Sequence, residues 1–318
     1  MWKSRIRKVV EDVKTLKDIK KVGSNQRLMK EQQNLGYLHG IWALTNRELK
    51  KWYKAPVILI ISLIQPIAWL LLFGKSMNLG SMFSSSGFNI PGLNIPKQVI
   101  DQIANQILLE RFGTTDYFSY LAVGMVAFIM LFTAMSSGMT IVWDRRLGFL
   151  NKLLTTPISR ATIVFSKTLS SVLRALTQAT IVLIVATLLG MQFKAGFGVL
   201  DLLLSYAALF LMAMGLASLF IMLAIRATSW ESQMAVMNLL NLPLMFASNA
   251  FYPISTMPSW LQPVAYINPI TYTNDILRQL MLGATGIKSL AFDFMYLSAF
   301  GILFTAIGMI LSWRYLSK

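Results

Sequence analysis

The sequence contains no cysteine and a single histidine, His39, among its 318 residues. The lack of cysteine excludes disulfide bonds, thiolate metal sites and cysteine nucleophiles. A single histidine disfavours a histidine-based metal centre or a Ser-His-Asp triad. We therefore expect no catalytic residue, no metal site and no cofactor bound by this chain.

Charged residues are also scarce, at 13%, whereas 55% of the residues are hydrophobic. A soluble domain carries roughly 25% charged residues, because it needs a polar surface. A chain this apolar would expose large apolar patches in water, so we expect it to be surrounded by lipid. The composition predicts an all-α integral membrane protein with one membrane domain.

Acidic residues are missing from the interiors of the apolar runs, and no nucleotide-binding loop of the form G-x-x-x-x-G-K-[ST] is present. Proton- or sodium-coupled carriers bury carboxylates within the membrane, because the coupling ion needs an anionic site. Asp201, Asp275, Asp293 and Glu231 instead lie at predicted helix ends or in loops. Both absences predict that a partner protein supplies the energy for any transport.

Six apolar runs reach the roughly 20 residues that a helix needs to cross hydrocarbon. They cover residues 55–73, 117–142, 163–190, 199–225, 233–252 and 291–312. Four prolines interrupt the apolar segment 253–290, which predicts re-entrant or interfacial helices at the outer face. The predicted fold is therefore all-α, with six transmembrane helices in a domain of residues 36–318 and a basic extension of residues 1–35 before it.

Lysine and arginine are concentrated before the first apolar run and between the second and third runs. With the N-terminus inside, 23 of the 29 basic residues lie in inner segments. The positive-inside rule then places both termini in the cytoplasm and the protein in the cell membrane. No basic stripe is interleaved with exposed aromatic residues, so the net charge of +16 predicts membrane lipid, and no nucleic acid, as a partner.

Two amphipathic helices are predicted before the first apolar run. Apolar residues at three- and four-residue steps from Ile6 to Ile19 predict a helix with a basic face. That helix either lies on anionic lipid or packs against a partner, and the pattern favours neither. After Gly36, Trp42 and Trp52 stand beside basic residues, which predicts an interfacial helix leading into the membrane.

The inner loop between the second and third runs carries the most informative pattern. Leu147, Leu150, Leu153 and Leu154 recur at helical steps with charged residues opposite them. Pro157 disfavours continuation of that helix. We predict a short amphipathic helix at about residues 145–156, and from the pattern alone a helix resting on lipid is an equally good interpretation.

The residues around this helix resemble the signature of the type-2 ABC exporter permeases, in particular the daunorubicin-resistance-like drug efflux branch. The segment Trp143–Lys167 contains a basic-Leu-Gly-Phe-Leu stretch, a Leu-Leu pair, a Thr-Pro step and Ser-Arg. Residues 247–272 look like the same family through the blocks Ala-Ser-Asn-Ala-Phe-Tyr-Pro, Met-Pro-Ser-Trp-Leu and Asn-Pro-Ile-Thr-Tyr. Two matching blocks in the right order make the resemblance specific, and it covers residues 36–318.

The resemblance implies a transporter in which two membrane subunits assemble with two cytoplasmic ABC ATPase subunits. The second membrane subunit would be another copy of this chain or a related permease. ATP and Mg would bind to the ATPases, so this chain would be a transport subunit and not an enzyme. The short helix would be the coupling helix, seated in a cleft of the ATPase and moving with it as a rigid body. The predicted contacts are Arg145, Arg146, Gly148, Phe149, Leu150 and Leu153.

Four polar residues inside the apolar runs are candidates for a substrate path. Gln65 lies in the first run, and Asn238, Asn241 and Asn249 lie in the fifth. Polar residues within a membrane often mark a pathway. The same amides also form hydrogen bonds between packed helices, so both interpretations stay open.

The leading hypothesis is the permease of an ATP-driven exporter for an amphiphilic, drug-like or lipid-like substrate. A permease for a lipid-linked polysaccharide would share these sequence features. A membrane-embedded lipid-modifying enzyme would need clustered Asp, Glu or His at one membrane level, which we do not find. A membrane scaffold is a further alternative, and dependence on an ATPase partner would exclude it.

Overall fold

A computed structural model describes residues 37–75, 97–156, 158–227, 229–284 and 289–315 of the chain. These residues form helices joined by loops, and they contain no β-strand. The all-α prediction is therefore confirmed for the described part. The basic helix predicted within residues 1–35 lies outside it.

The described residues contain eleven α-helices. In order, they are α1 (37–53), α2 (Pro56–Trp69), α3 (Lys97–Phe112), α4 (Tyr117–Arg146), α5 (Phe149–Leu154), α6 (Arg160–Leu188), α7 (Val199–Arg226), α8 (Trp230–Phe246), α9 (Gln262–Ile267), α10 (Pro269–Leu277) and α11 (Leu290–Tyr315). A π-helical turn, Leu70–Lys75, extends α2, and another, Arg278–Leu282, extends α10. Short helices starting near proline confirm that the segment after α8 is broken.

Side-chain and loop contacts sort the helix ends into two groups, named here the basic end and the opposite end. The basic end comprises α1 and residues 144–156 and 225–227, and the opposite end comprises residues 113–119, 189–198 and 247–284. At the basic end, Lys51 of α1 pairs with Asp144 of α4. At the opposite end, the Tyr117 hydroxyl donates to the Phe251 carbonyl at 3.3 Å. Within the described ranges, α2, α4, α6, α7, α8 and α11 connect these two ends.

Four helical segments of the described part are long and apolar enough to cross a membrane. They are Asn105–Arg146, Arg160–Leu188, Val199–Arg226 and Leu290–Tyr315. They contain the second, fourth and sixth predicted runs and all of the third run except its last two residues. The first run forms a shorter apolar helix, Leu59–Gly74. The fifth run ends as a helix at Phe246 rather than at residue 252, because Ala247, with ψ of 48°, leaves the helical conformation. The count of six crossing helices stays a prediction.

Helix α4 forms the centre of the bundle. Every residue from Phe118 to Leu131 is buried. A Cβ atom at Gly124 would lie 2.3 Å from the carbonyl oxygen of Ala250, and one at Gly138 would lie 2.7 Å from that of Phe220. Both glycines therefore let neighbouring backbones touch α4, and any larger residue would push those backbones away.

A buried arginine fixes the segment after α8 to this central helix. The guanidinium carbon of Arg278 lies 3.4 Å from the centre of the Tyr120 ring, and the residue is 1% exposed. Its Nη2 donates to the carbonyl oxygens of Tyr120 and Ala250, each at 3.2 Å. These contacts combine a cation–π interaction with two hydrogen bonds, so one side chain holds α10, α4 and the loop after α8 together.

Replacing Arg278 with leucine is expected to lower the free energy of unfolding by about 3 kcal/mol, because two buried hydrogen bonds to carbonyl groups and the contact with the Tyr120 ring are lost. The measurement is thermal unfolding of the purified protein in detergent. Arg111→Leu is the control, because Arg111 is exposed on α3 near the same end. Equal melting temperatures for the two variants would contradict the structural role given to Arg278.

Candidate functional site at the basic end

The predicted amphipathic helix is present as α5, but it is shorter than its pattern indicated. Helix α4 continues through Arg146, so Arg145 and Arg146 belong to α4 and the predicted start at residue 145 is wrong. Gly148 separates the two helices with a φ of 70°, a left-handed conformation that glycine adopts without strain. The site therefore consists of the end of α4, a two-residue break at Leu147 and Gly148, and a six-residue helix.

The inner face of α5 is packed against the bundle. Leu150 is 3% exposed and Leu153 is 7% exposed. They join an apolar cluster with Ile141, Val142, Ile163, Val164, Ile221, Ala224 and Ile225. This burial differs from the prediction that both leucines contact a partner, because in this structure they anchor α5 to α4, α6 and α7.

Arg145 is also directed towards the bundle. Its Nη1 donates to the carbonyl of Ala227 and its Nη2 to the carbonyl of Ile225, both at 2.7 Å. The last carbonyl groups of a helix lack partners within the helix and carry partial negative charge. Arg145 therefore caps α7 and ties it to the end of α4, next to the break that precedes α5.

The outer face of this region is open to the surroundings. It is named here the exposed face, and its residues are Arg146, Leu147, Asn151, Lys152 and Thr155. Leu147 is 75% exposed, although it is a large apolar residue. One apolar side chain within a polar and basic rim is the composition expected of a protein contact surface.

Five charged side chains behind α5 form a group named here the charge cluster: Arg47, Glu48, Lys51, Asp144 and Lys167. Lys167 Nζ lies 2.6 Å from Asp144 Oδ2 and 3.5 Å from Glu48 Oε1. Lys51 Nζ lies 3.2 Å from Asp144 Oδ1, and Arg47 Nη1 lies 2.7 Å from Glu48 Oε1. Lys167, Asp144 and Glu48 are all buried, and buried charges are tolerated only when they are paired. The cluster therefore locks α1, α4 and α6 into one relative position.

Phe149, the first residue of α5, is connected to this charge cluster. The guanidinium carbon of Arg47 lies 3.3 Å from the centre of the Phe149 ring, and Lys51 Nζ lies 5.6 Å from it. Both distances are within the range of a cation–π interaction. The hydroxyl of Thr45 also donates to the Ser166 carbonyl at 3.3 Å, so α1 rests on α6 beside the same site. A displacement of α5 would therefore act on α1 and α6 as well as on α4.

The sequence-based prediction missed the three buried members of this cluster. A usable signal was present, since Glu48 is the only acidic residue between residues 37 and 75, and Asp144 is the only one between residues 117 and 200. Single carboxylates within strongly basic inner segments are candidates for buried ion pairs. Lys167 gave no comparable signal, because basic residues are common in those segments.

Three of the four predicted path residues lie on helices that pack against α4. Gln65 of α2 and Asn238 of α8 are exposed beside the exposed apolar residues Ile64 and Leu239. Asn241 is partly buried, and its Oδ1 has no hydrogen-bond partner among the described residues. An amide on such a face would meet lipid chains, at a cost in free energy, unless another protein surface or a polar ligand covers it.

Asn249, the fourth path residue, has a different environment. It is 5% exposed, its Nδ2 donates to Asp275 Oδ1 at 2.5 Å, and its Oδ1 accepts from Asn274 Nδ2 at 3.0 Å. Its carbonyl also accepts from the Tyr120 hydroxyl at 3.0 Å. Asn249 thus belongs to the buried polar group around Arg278, and the structure does not place it on an open path.

A protein-family model and several known proteins match this chain over much of its length. A family model described as ABC-2 type transporter matches residues 39–282. The chain is 29% identical over 269 residues to the transport permease ycf38 of Cyanophora paradoxa, covering 83% of this chain and 82% of the relative. It is 24% identical over 174 residues to the daunorubicin resistance ABC transporter permease protein DrrB1 of Streptomyces coeruleorubidus, covering 55% and 61% of the two chains. It is 25% identical over 168 residues to the multidrug ABC transporter permease YbhR of Escherichia coli K12, covering 52% and 45%. Because the family model matches most of its length, the chain belongs to the ABC-2 type transporter family of membrane permeases.

Proposed function

We propose that this chain is the membrane subunit of an ATP-driven exporter that works with two cytoplasmic ATPase subunits and a second permease. The observation that carries the proposal is α5, whose inner face is anchored by Leu150 and Leu153 while the exposed face stays open. A helix supported in this way can receive a displacement from a partner and pass it on without deforming. The ATPases would bind ATP and Mg and would contact Arg146, Leu147 and the neighbouring exposed residues.

The route from α5 into the membrane domain follows from the contacts at the basic end. Phe149 carries a displacement to Arg47, and the charge cluster carries it to Asp144 and Lys167. Lys167 stands on α6, and α1 leads directly into α2. Tilting of α5 would thus rotate α2, α4 and α6 together, which is a rigid-body mechanism of the kind that alternating-access transporters use.

In the proposed orientation, the basic end faces the cytoplasm and the opposite end lies at the outer leaflet of the cell membrane. Six crossing helices are supported by α2 and α8, since both run between the same two ends as the four longer helices. Together with its π-helical turn, α2 spans Pro56–Lys75, about 20 residues and roughly 30 Å. Lysine and arginine gather at the basic end, as the positive-inside rule requires of cytoplasmic segments.

A second copy of this chain is proposed to cover the exposed faces of α2 and α8. Val57, Ile60 and Ile64 of α2 and Leu239 and Leu242 of α8 are all more than half exposed. Apolar exposure alone would suit lipid, but Gln65 and Asn238 on the same helices favour a protein or a polar-lined path. A symmetric dimer would bring four such amides together between the two subunits.

The proposed cargo is an amphiphilic, drug-like or lipid-like molecule. This part of the proposal is supported by the names of two relatives, a daunorubicin resistance permease and a multidrug permease. Exposed apolar faces interrupted by single amides would suit a molecule with one large apolar part and a few polar groups.

The test is ATP-dependent movement of cargo in proteoliposomes that contain the chain and the ATPase encoded beside it. A fluorescent amphiphilic drug and a lipid-linked oligosaccharide are offered separately, and an ATPase variant that cannot hydrolyse ATP is the control. Movement of the drug supports the proposed cargo. Movement of only the oligosaccharide would contradict the proposed cargo but would still support an ATP-driven exporter. Failure of the ATPase to assemble with the chain would contradict the exporter and favour a scaffold.

Two asparagine variants are expected to distinguish a residue that stabilises the fold from a residue that contributes to transport. Asn249→Leu should lower the free energy of unfolding by about 2 kcal/mol, because it removes two buried hydrogen bonds. Asn238→Leu should leave unfolding unchanged within about 0.5 kcal/mol, since this side chain is exposed, and should alter the rate of transport. Melting temperature and transport rate are measured for both variants, and a reversed pattern would contradict the assignment of Asn238 to the path.

A further inference from the structure

Four basic residues form a stripe along the outer side of α1, just before the chain enters α2. Arg47, Lys50, Lys51 and Lys54 recur at positions i, i+3, i+4 and i+7, which lie on one side of a helix. Together with Ala43 and Asn46, they line an open groove of about 550 Å³. This stripe is named here the lysine groove.

The charges in the lysine groove are only partly compensated. Arg47 and Lys51 pair with Glu48 and Asp144 on the inner side of α1, within the charge cluster. The ammonium groups of Lys50 and Lys54 are exposed, and neither forms a salt bridge with any residue that the structure describes. Lys51 is itself 48% exposed, so three ammonium groups can reach an anion in the groove.

The position of the groove favours lipid as the source of that anion. Lys54 precedes Pro56, the first residue of the apolar helix α2, by two positions. Trp42 and Tyr53 on the same helix are 58% and 53% exposed, and such aromatic residues concentrate where lipid headgroups meet acyl chains. A basic cluster directly beside a membrane helix attracts anionic headgroups by about 1 kcal/mol for each basic residue.

We infer that the lysine groove binds the phosphate of an anionic phospholipid in the leaflet at the basic end. Lys50 and Lys54 bind the phosphate as compact point charges, and Lys51 is the third contact. Trp42 and Tyr53 lie beside the glycerol and upper acyl region. The site uses only residues of α1 and Lys54, which directly follows it, so it does not depend on the proposed transport function.

Lipid binding in this groove would also act on the functional site. Lys51 divides its charge between the groove and Asp144, and Arg47 lies between the groove and the Phe149 ring. A bound phosphate would draw Lys51 outward and weaken its pairing with Asp144. The amount of anionic lipid would then set how firmly α1 holds the charge cluster.

The test is native mass spectrometry of the purified chain, titrated with phosphatidylglycerol and with phosphatidylcholine of the same acyl composition. Lys50→Gln with Lys54→Gln is expected to weaken phosphatidylglycerol binding at least about tenfold and to leave phosphatidylcholine binding unchanged. Arg146→Gln with Lys152→Gln is the matched control, because it removes two exposed charges from the same end. Lys50→Arg with Lys54→Arg keeps the charges and should bind phosphatidylglycerol as the unchanged chain does.

Three results would overturn the inference. The first is an unchanged affinity for phosphatidylglycerol in the Lys50→Gln, Lys54→Gln variant, or an equal loss in the matched control. The second is displacement of the lipid by glycerol phosphate at the same concentration, which would show a site for free phosphate. The third is a Lys50→Gln, Lys54→Gln variant that still binds phosphatidylglycerol but no longer associates with the ATPase, which would show that the groove is a protein-docking surface.

Discussion

Replacing Lys167 with methionine is expected to lower the free energy of unfolding by about 3–5 kcal/mol, because it leaves buried carboxylates without their main partner. Arg47, Lys51 and Lys167 each contact both carboxylates, but Lys167 is 3% exposed whereas the other two are 30% and 48% exposed. Methionine has a similar length, so the change removes the charge while keeping most of the packing. The measurement is thermal unfolding in detergent at fixed lipid content.

Lys152→Met is the control for this prediction. Lys152 stands on α5 at the same end of the bundle, but its side chain is exposed. Its loss is expected to change the free energy of unfolding by no more than about 0.5 kcal/mol. An equal melting temperature for Lys167→Met and this control would contradict the conclusion that the charge cluster holds α1, α4 and α6 together.

Changing Leu147 to aspartate together with Lys152 to glutamate is expected to weaken assembly with the ATPase about thirty-fold. The two changes remove the one large apolar side chain of the exposed face and reverse the sign of its rim. Both side chains are exposed, so the permease itself should melt at the temperature of the unchanged chain. ATP turnover in the reconstituted complex should fall with assembly.

The conservative pair Leu147→Met with Lys152→Arg is the matched control for this second prediction. It keeps one apolar side chain and one cation at the same two positions, and assembly should be preserved within about threefold. Assembly is measured by co-purification at a series of salt concentrations. Normal assembly of the aspartate and glutamate variant would exclude the exposed face as the ATPase contact.

Most of the fold could be predicted from the length and polarity of the apolar runs. Runs bounded by Asp116, Arg226 and Trp313 reappear as long helices, because the bilayer-length apolar run fixes both the type of element and its approximate ends. The boundary at Gly148 was harder to predict. The apolar pattern of α4 continues into that of α5, so nothing but the glycine marks the break.

The orientation of α5 and the charge cluster could not be predicted from one sequence. An amphipathic pattern shows that Leu150 and Leu153 share a face, but not whether lipid, a partner or the bundle covers that face. The pair of Lys51 and Asp144 joins residues 93 positions apart, and only the packing of α1 against α4 and α6 brings them together. Both Asn249 and Asn238 are amides within one apolar run of the sequence, and only the structure shows that Asn249 is buried and hydrogen-bonded while Asn238 is exposed.

Site-specific cross-linking tests the central claim most directly, namely that the exposed face of α5 contacts the ATPase. The chain has no cysteine, so a single introduced cysteine can be labelled with a maleimide photo-cross-linker without background. Asn151→Cys and Thr155→Cys place the label on the exposed face, and Arg111→Cys places it at the opposite end. The expected result is cross-linking of the ATPase from positions 151 and 155 and none from position 111. Efficient labelling at all three positions without any cross-link from 151 or 155, or with an equal cross-link from 111, would contradict the coupling role of α5.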